Sequence, residues 1–130
     1  MTWGPVEKQQ WLAEQTIKRS YLEEVVSKIK KLSDKFDVVQ YGSLSMDPDR
    51  YPLFLIKSKR FGKTKETILI TGGVHGYETS GVHGALSFLE TTAANYEKQF
   101  NFVCAPCISP GAYEPINRWN AKAIDPNRSF

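Results

Sequence analysis

The fold of this chain is decided by the stretch Thr67-Ile68-Leu69-Ile70-Thr71-Gly72-Gly73-Val74-His75-Gly76-Tyr77-Glu78. It opens with an apolar, β-branched run that is typical of a buried strand. Gly72 and Gly73 then interrupt the run, so that the backbone can turn sharply and approach other groups closely. Apolar residues next recur at a helical spacing, at Val82, Ala85, Leu86 and Leu89. The pattern predicts a strand, a glycine-rich turn and a helix.

Two residues of the turn, His75 and Glu78, could bind a metal ion. In a parallel sheet, ligands usually lie in the turn after the carboxyl end of a strand. An imidazole nitrogen and a carboxylate oxygen are ordinary zinc ligands, and a catalytic zinc has three protein ligands and a water. The same spacing also suits a surface histidine beside a glutamate that stabilises the start of a helix. The two residues alone leave both interpretations open.

The C-terminal segment, residues 109–130, has no clear period and is long for a loop without structure. Loops of this length are usually functional or disordered. Its polar content is concentrated in Asn117-Arg118-Trp119-Asn120 and in Asp125-Pro126-Asn127-Arg128-Ser129-Phe130. The segment is therefore either a disordered end with two exposed arginines or part of a binding site.

Together, these two stretches resemble the zinc carboxypeptidase family. The turn is similar to the family's H-x-x-E zinc motif, and the C-terminal stretch is similar to its R-x-N…D-x-N-R-x-F segment. The family comprises the carboxypeptidase A-like metallopeptidases and their bacterial relatives, with the succinylglutamate desuccinylase and aspartoacylase branch more distant. H-x-x-E alone is weakly specific, whereas the two motifs about fifty residues apart make a strong combination. The resemblance runs from Val38 onward and implies the N-terminal portion of the family's catalytic domain.

The resemblance implies a role for five residues. His75 and Glu78 fall on zinc ligands, and Arg118 falls on the arginine that polarises the scissile carbonyl. Asn127 and Arg128 fall on the pair that holds the substrate's terminal carboxylate. The chemistry suits this assignment, because a guanidinium binds a carboxylate with a planar, bidentate fork and an amide adds a neutral donor. Pro126 and Ser129 depart from the family's usual residues but leave the Asn-Arg pair intact.

Three groups of the family's catalytic set have no counterpart assigned in the chain. They are the third zinc ligand (a histidine), the general-base glutamate and a substrate-capping tyrosine, which in the family come after the Asn-Arg pair. His83 is a poor substitute, because on a helix it lies some 140° round from Glu78. Cys107, at the carboxyl end of a neighbouring strand, is the other candidate, as a soft third ligand. We therefore expect no turnover from these 130 residues alone.

The resemblance favours a zinc-dependent metallocarboxypeptidase-like hydrolase that removes a C-terminal residue from a peptide. An N-acyl amino acid deacylase of the succinylglutamate desuccinylase or aspartoacylase type is one alternative. A non-catalytic module that binds metal or carboxylate ligands is another, favoured by the missing general base. In each case the partner carries a free carboxylate, and the oligomeric state stays open.

Composition and charge place the chain among ordinary globular proteins. It has 130 residues, of which 41% are hydrophobic and 24% charged, and we expect residues 1–130 to form one domain. The net charge of +3 is weak and no aromatic-basic motif accompanies it, which argues against nucleic-acid binding. No apolar run approaches the roughly 20 residues that span a membrane. Because residues 1–8 lack the apolar core of a signal peptide, we expect a cytoplasmic protein.

The remaining pattern predicts an α/β fold with a mixed, twisted sheet and flanking helices, the N-terminal part of a zinc carboxypeptidase-like α/β/α fold. Helices are expected at residues 5–19 and after a capping box at Ser20, with an apolar face formed by Tyr21, Val25, Ile29, Leu32 and Phe36. Strands are expected at residues 37–41, 53–57, 67–74 and 100–108. The first two should form an antiparallel hairpin and the last two a parallel pair. Cys104 and Cys107, three apart in the last strand, are expected to be buried thiols rather than a disulfide.

Overall fold

The computed structural model of the protein describes residues 3–129. Four strands, β1 (Phe36–Ser43), β2 (Pro52–Ser58), β3 (Glu66–Thr71) and β4 (Phe100–Ala105), form one sheet in the order β1-β2-β4-β3. β2 is antiparallel to both β1 and β4, whereas β3 is parallel to β4. The predicted mixed sheet, the hairpin and the parallel pair are therefore confirmed.

The helices are short apart from the one that follows the glycine-rich turn. They are α1 (Pro5–Ala13), α2 (Ser27–Lys31), α3 (Thr79–Thr91) and α4 (Pro110–Tyr113). α2 is preceded by a π-helical turn (Leu22–Val26) and followed by a 3-10 turn (Leu32–Asp34), and further 3-10 turns lie at Ala93–Tyr96 and Pro126–Arg128. No helix within residues 3–129 is long and apolar enough to cross a membrane.

The core lies where the α2 segment and α3 pack against the sheet. All five residues of the face predicted from helical spacing are at most 6% exposed, and the last of them, Phe36, begins β1. The buried face of α3 consists of Val82, Ala85, Leu86 and Leu89, as the spacing predicts. Ser20 caps the second helical segment, because its hydroxyl accepts a 3.2 Å hydrogen bond from the backbone N–H of Glu23.

The strand that leads into the turn is not buried, which corrects the expectation from its apolar sequence. β3 lies at the edge of the sheet, beside β4, and most of its residues are exposed. Leu69, in its middle, is 67% exposed. An apolar, β-branched run fits a pleated strand, but it does not determine on how many sides that strand is covered.

The first helix is shorter than the predicted 5–19. Pro5 occupies its first turn, as expected, but the helix ends at Ala13, and α1 contains no buried residue. Residues 14–20 instead run along the C-terminal part of the chain, where the N–H of Lys18 donates to the carbonyl of Glu114 at 3.0 Å. This long-range contact replaces the hydrogen bond that a continuing helix would supply.

The last strand also ends early, at Ala105 rather than residue 108. The backbone beyond it stays beside the turn, since the N–H groups of Ile108 and Ser109 donate to the carbonyls of Gly72 and Gly73, each at 3.0 Å. Cys107 therefore lies in a loop and not in the strand. Cys104 and Cys107 are buried free thiols, as predicted.

Candidate functional site

The turn after β3 brings His75 and Glu78 into direct contact. Gly73 has a φ of +60°, and a Cβ at Gly72 would lie 2.6 Å from the carbonyl oxygen of Pro106, so both positions require glycine. Nδ1 of His75 lies 2.7 Å from Oε1 of Glu78, and the backbone N–H of His75 donates to Oε2 at 3.2 Å. The predicted proximity is confirmed, whereas the metal-ligand role of the two residues stays a prediction.

The second ring nitrogen of His75 contacts a carboxylate from the C-terminal segment. Nε2 of His75 lies 2.9 Å from Oδ1 of Asp125, and His75 is only 5% exposed. Asp125 also caps the 3-10 turn Pro126–Arg128. Its partnership with His75 was not predicted, although Asp125 is the first residue of the C-terminal motif. That motif was the only signal for it in the sequence.

Arg118 lies beside the histidine through the same carboxylate. Its Nε donates to Oδ2 of Asp125 at 2.9 Å, and its Nη1 donates to the Tyr77 hydroxyl, also at 2.9 Å. The Tyr77 ring stacks on the imidazole of His75, with centroids 5.7 Å apart and an interplanar angle of 12°. The structure thus joins the turn and Arg118 in one network.

Asn127 and Arg128 lie at the rim of this network, on the turn that Asp125 caps. The backbone N–H of Asn127 donates to Oδ1 of Asp125 at 3.0 Å. Nε of Arg128 is 3.7 Å from Oδ2 of Asp125, and the Arg128 side chain is 79% exposed. Both residues therefore border the site and face solvent. Phe130, the last residue of the motif, lies outside the described residues.

The charges of the network perturb one another. The pKa of His75 is raised, chiefly by its hydrogen bond to Glu78 and also by Asp125, although burial opposes the shift. The pKa of Glu78 is lowered, first by the hydrogen bond from the His75 ring. Desolvation alone would raise the pKa of Asp125, but the hydrogen bonds from His75, the backbone N–H of Asn127 and Arg118 lower it to about 2. The network therefore holds two ionised carboxylates around one imidazole.

The donor atoms of the turn suit a metal, although they do not form a complete site. Within residues 3–129, no group of three His, Cys, Asp or Glu side chains is arranged to hold a metal ion. His75 and Glu78 supply one nitrogen and one oxygen, both ordinary zinc donors. Asp125 holds the opposite ring nitrogen, which is how histidine ligands are commonly oriented.

Neither candidate for a third ligand joins this pair. His83 faces α2 and α4, where its ring nitrogens lie 3.1 Å from Nζ of Lys28 and 2.9 Å from the Tyr113 hydroxyl. The expectation that His83 points away is therefore confirmed. Cys107 is buried, and within residues 3–129 it forms no metal-ligating group of three with His75 and Glu78. Burial raises the pKa of its thiol to about 12.

The fold is shared with solved structures of metallopeptidases. A candidate metallopeptidase from Shewanella denitrificans has a TM-score of 0.72 and 21% identity over 90% of this chain and 47% of its own. A metallo-carboxypeptidase from Burkholderia cenocepacia has a TM-score of 0.62 and 16% identity over 79% of this chain and 31% of its own. A third structure is a metallo-carboxypeptidase from Pseudomonas aeruginosa in complex with (2-guanidinoethylmercapto)succinic acid. It has a TM-score of 0.59 and 14% identity over 79% of this chain and 29% of its own.

The sequence itself matches no protein-family model and no curated protein. The chain spans less than half the length of the three structures just described. At this level of identity the likeness concerns the fold. The protein therefore has the α/β fold of these metallopeptidase and metallo-carboxypeptidase structures, over less than half of their length.

Proposed function

We propose that this chain is the metal- and carboxylate-binding portion of a zinc-dependent metallocarboxypeptidase-like hydrolase, which removes a C-terminal residue from a peptide. The observation that carries the proposal is the placement of His75. Its ring lies between Glu78 and Asp125, at 2.7 and 2.9 Å, in the turn after β3 of a metallo-carboxypeptidase fold. In this proposal His75 and Glu78 are two zinc ligands, and Asp125 orients the imidazole.

Zinc at such a site supplies Lewis-acid polarisation of a carbonyl and makes a water molecule more acidic. The residues of this chain would orient the metal ligands and stabilise the negative charges of the substrate. Asp125 accepts from the His75 ring and keeps the other ring nitrogen directed at Glu78. The buried imidazole is thereby held in one orientation without the substrate.

Arg118 is proposed to stabilise the oxyanion that develops on the scissile carbonyl. Two of its N–H groups are held, by Asp125 and by the Tyr77 hydroxyl, which fixes the guanidinium beside His75. Its side chain is 38% exposed, so it can meet a substrate. A donor that is fixed before the reaction needs no reorganisation when charge develops.

Asn127 and Arg128 are proposed to bind the terminal carboxylate of the substrate. Arg128 approaches Asp125 only at 3.7 Å and is largely exposed, which leaves its planar fork accessible to a second carboxylate. The structural neighbour from Pseudomonas aeruginosa is in complex with a succinic acid derivative, which supports a carboxylate-bearing partner.

A non-catalytic binding module remains a second candidate, favoured by a specific observation. The described residues, 3–129, contain no set of three metal-ligating side chains, and an open two-ligand site holds metal weakly. Two further parts of the proposal rest on the sequence. Residues 1–130 form one domain, which is the N-terminal portion of a zinc carboxypeptidase-like catalytic domain, and the protein is cytoplasmic.

The proposal is tested by presenting the protein with zinc and three ligands: an N-acetyl dipeptide, its C-terminal amide, and N-succinylglutamate. We expect zinc-dependent binding of the dipeptide, much weaker binding of the amide, and no hydrolysis by the 130 residues alone. Preference for N-succinylglutamate would favour the deacylase alternative. Equal binding of acid and amide would contradict a carboxylate clamp, and hydrolysis would contradict the assigned catalytic set.

A further inference from the structure

Arg19, near the N-terminus, forms hydrogen bonds to the turn that carries His75 and Glu78. Its Nη2 donates to the carbonyl of Gly76 at 2.8 Å, and its Nη1 donates to the hydroxyl of Thr79 at 2.7 Å. Gly76 directly follows His75, and Thr79 directly follows Glu78. One planar guanidinium thus spans the turn and holds it next to both candidate ligands.

The guanidinium is itself fixed in place. Its third donor, Nε, bonds to the carbonyl of Tyr113 at 2.7 Å, and its Cζ lies 3.5 Å from the centroid of the Tyr113 ring. A cation over an aromatic face at this distance is attracted to it. Arg19 is half-buried, so these contacts are partly shielded from water. Hydrogen bonds of a charged donor are stronger than neutral ones.

The turn leaves little room to move when Arg19 is in place. Gly76 packs so closely on α4 that a Cβ there would lie 1.9 Å from the carbonyl carbon of Ala112. The N–H of Tyr77 donates to the carbonyl of Asn117 at 3.0 Å. The backbone between His75 and Glu78 is therefore held against α4 and against the segment after it. The guanidinium of Arg19 adds a third contact, to the carbonyl of Gly76.

We infer that Arg19 is a positioning residue for the metal-ligand turn: it sets the distance and orientation of His75 and Glu78 without touching metal or substrate. The inference rests on the proposed function for the identity of the ligands. Its geometric part, that Arg19 orders residues 75–79, is independent of any metal. Lysine cannot replace Arg19, because a single ammonium has no planar fork that meets three oxygens at once.

The experiment compares Arg19→Lys with the wild type and with Arg60→Lys, a matched change at an exposed arginine after β2. Zinc affinity is measured by competition with a chromophoric chelator. Groups that orient metal ligands typically contribute ten- to a hundredfold to affinity. We expect Arg19→Lys to lower the zinc affinity by roughly that factor, ten- to a hundredfold, and Arg60→Lys to leave it unchanged.

Hydrogen exchange of the metal-free proteins provides the readout that does not depend on zinc. Arg19→Lys should accelerate exchange of the peptide that covers residues 76–82 and leave β4 unchanged. Thr79→Val should reproduce part of the effect and Thr79→Ser should restore it, because serine keeps the hydroxyl that Arg19 contacts. In the Thr79→Val background, Arg19→Lys should have a smaller effect than alone.

Unchanged exchange and unchanged zinc affinity in Arg19→Lys would overturn the inference. Equal acceleration in β4 would also overturn it, since Arg19 would then stabilise the whole fold rather than this turn. If the wild type binds no zinc, the proposed function fails, and the exchange measurement still decides whether Arg19 orders the turn.

Discussion

Nε2 of His75 lies 2.9 Å from Oδ1 of Asp125, a residue fifty positions further along the chain. This contact joins the turn after β3 to the C-terminal segment. Asp125 also accepts hydrogen bonds from Arg118 and from the backbone N–H of Asn127, and it lies 3.7 Å from Arg128. One carboxylate therefore contacts four of the five predicted site residues.

Asp125→Asn should weaken zinc binding about ten- to a hundredfold, because the amide is a poorer partner for the imidazole ligand. It should also lower the pKa of His75, since one of the two groups that raise it loses its charge. NMR titration of the imidazole measures the pKa, and calorimetry measures the affinity. Asp49→Asn, a change at an exposed carboxylate in the β1–β2 turn, serves as the control. Equal behaviour of the two variants would contradict the role of Asp125.

The contribution of His75 to the pH dependence of stability should run opposite to the pH dependence of zinc affinity. The folded pKa of His75 is raised above its unfolded value of about 6.5. Its contribution to the stability of the metal-free protein is therefore fully present below about pH 6.5 and is lost as the pH rises through the folded pKa. Zinc binds the neutral imidazole, so its affinity falls as the pH decreases through the same pKa. Urea unfolding and zinc titration of the wild type and of His75→Gln check both trends, because the difference between the two proteins is the contribution of His75.

Substitutions of Arg118 and Arg128 should differ in their effect on the affinity for a ligand with a free carboxylate. Arg128→Ala removes a charge-assisted hydrogen bond worth about 1.5–3 kcal/mol, roughly ten- to a hundredfold in affinity for an N-acetyl dipeptide. Arg118→Ala should change that affinity little, because its proposed partner becomes charged only in the transition state. NMR titration provides the measurement and Arg60→Ala the control. The reverse order of effects would mean that the two roles are exchanged.

Two glycine-to-alanine changes should have opposite effects on stability. A Cβ at Gly76 would overlap the backbone of Ala112, whereas a Cβ at Gly84, inside α3, meets nothing within 4 Å. Gly76→Ala should therefore destabilise by about 1–3 kcal/mol or more. Gly84→Ala should stabilise by roughly 0.5–1 kcal/mol, because alanine loses less backbone entropy in a helix. Thermal unfolding measures the stability of both variants. An unchanged stability of Gly76→Ala would show that the turn does not pack on α4 in this way.

The sequence patterns that worked are local ones. The spacing from Tyr21 to Phe36 identified a buried face, and the Gly72-Gly73 break located the turn that brings His75 and Glu78 together. Each of these depends on residues within one element or one turn, where periodicity and backbone freedom act directly.

What the patterns missed is long-range. Asp125 lies fifty residues from the turn in sequence, and Arg19 nearly sixty. Contacts between residues so far apart in sequence produce no periodic pattern from which they could be predicted. The exposure of Leu69 was missed for a related reason. An apolar run records a preference for burial, but the neighbours of a strand depend on the order of strands in the sheet, and β3 lies at its edge.

The central claim is that His75 and Glu78 are zinc ligands, and zinc titration of the wild type, His75→Ala and Glu78→Gln tests it most directly. We expect weak binding to the wild type, because two ligands do not close a site, and a marked loss of affinity in each variant. Cys107→Ala should bind as the wild type does, because Cys107 is buried and forms no metal-ligating group of three with His75 and Glu78 among the described residues, 3–129. Tight binding that survives both substitutions but is lost in Cys107→Ala would contradict the account.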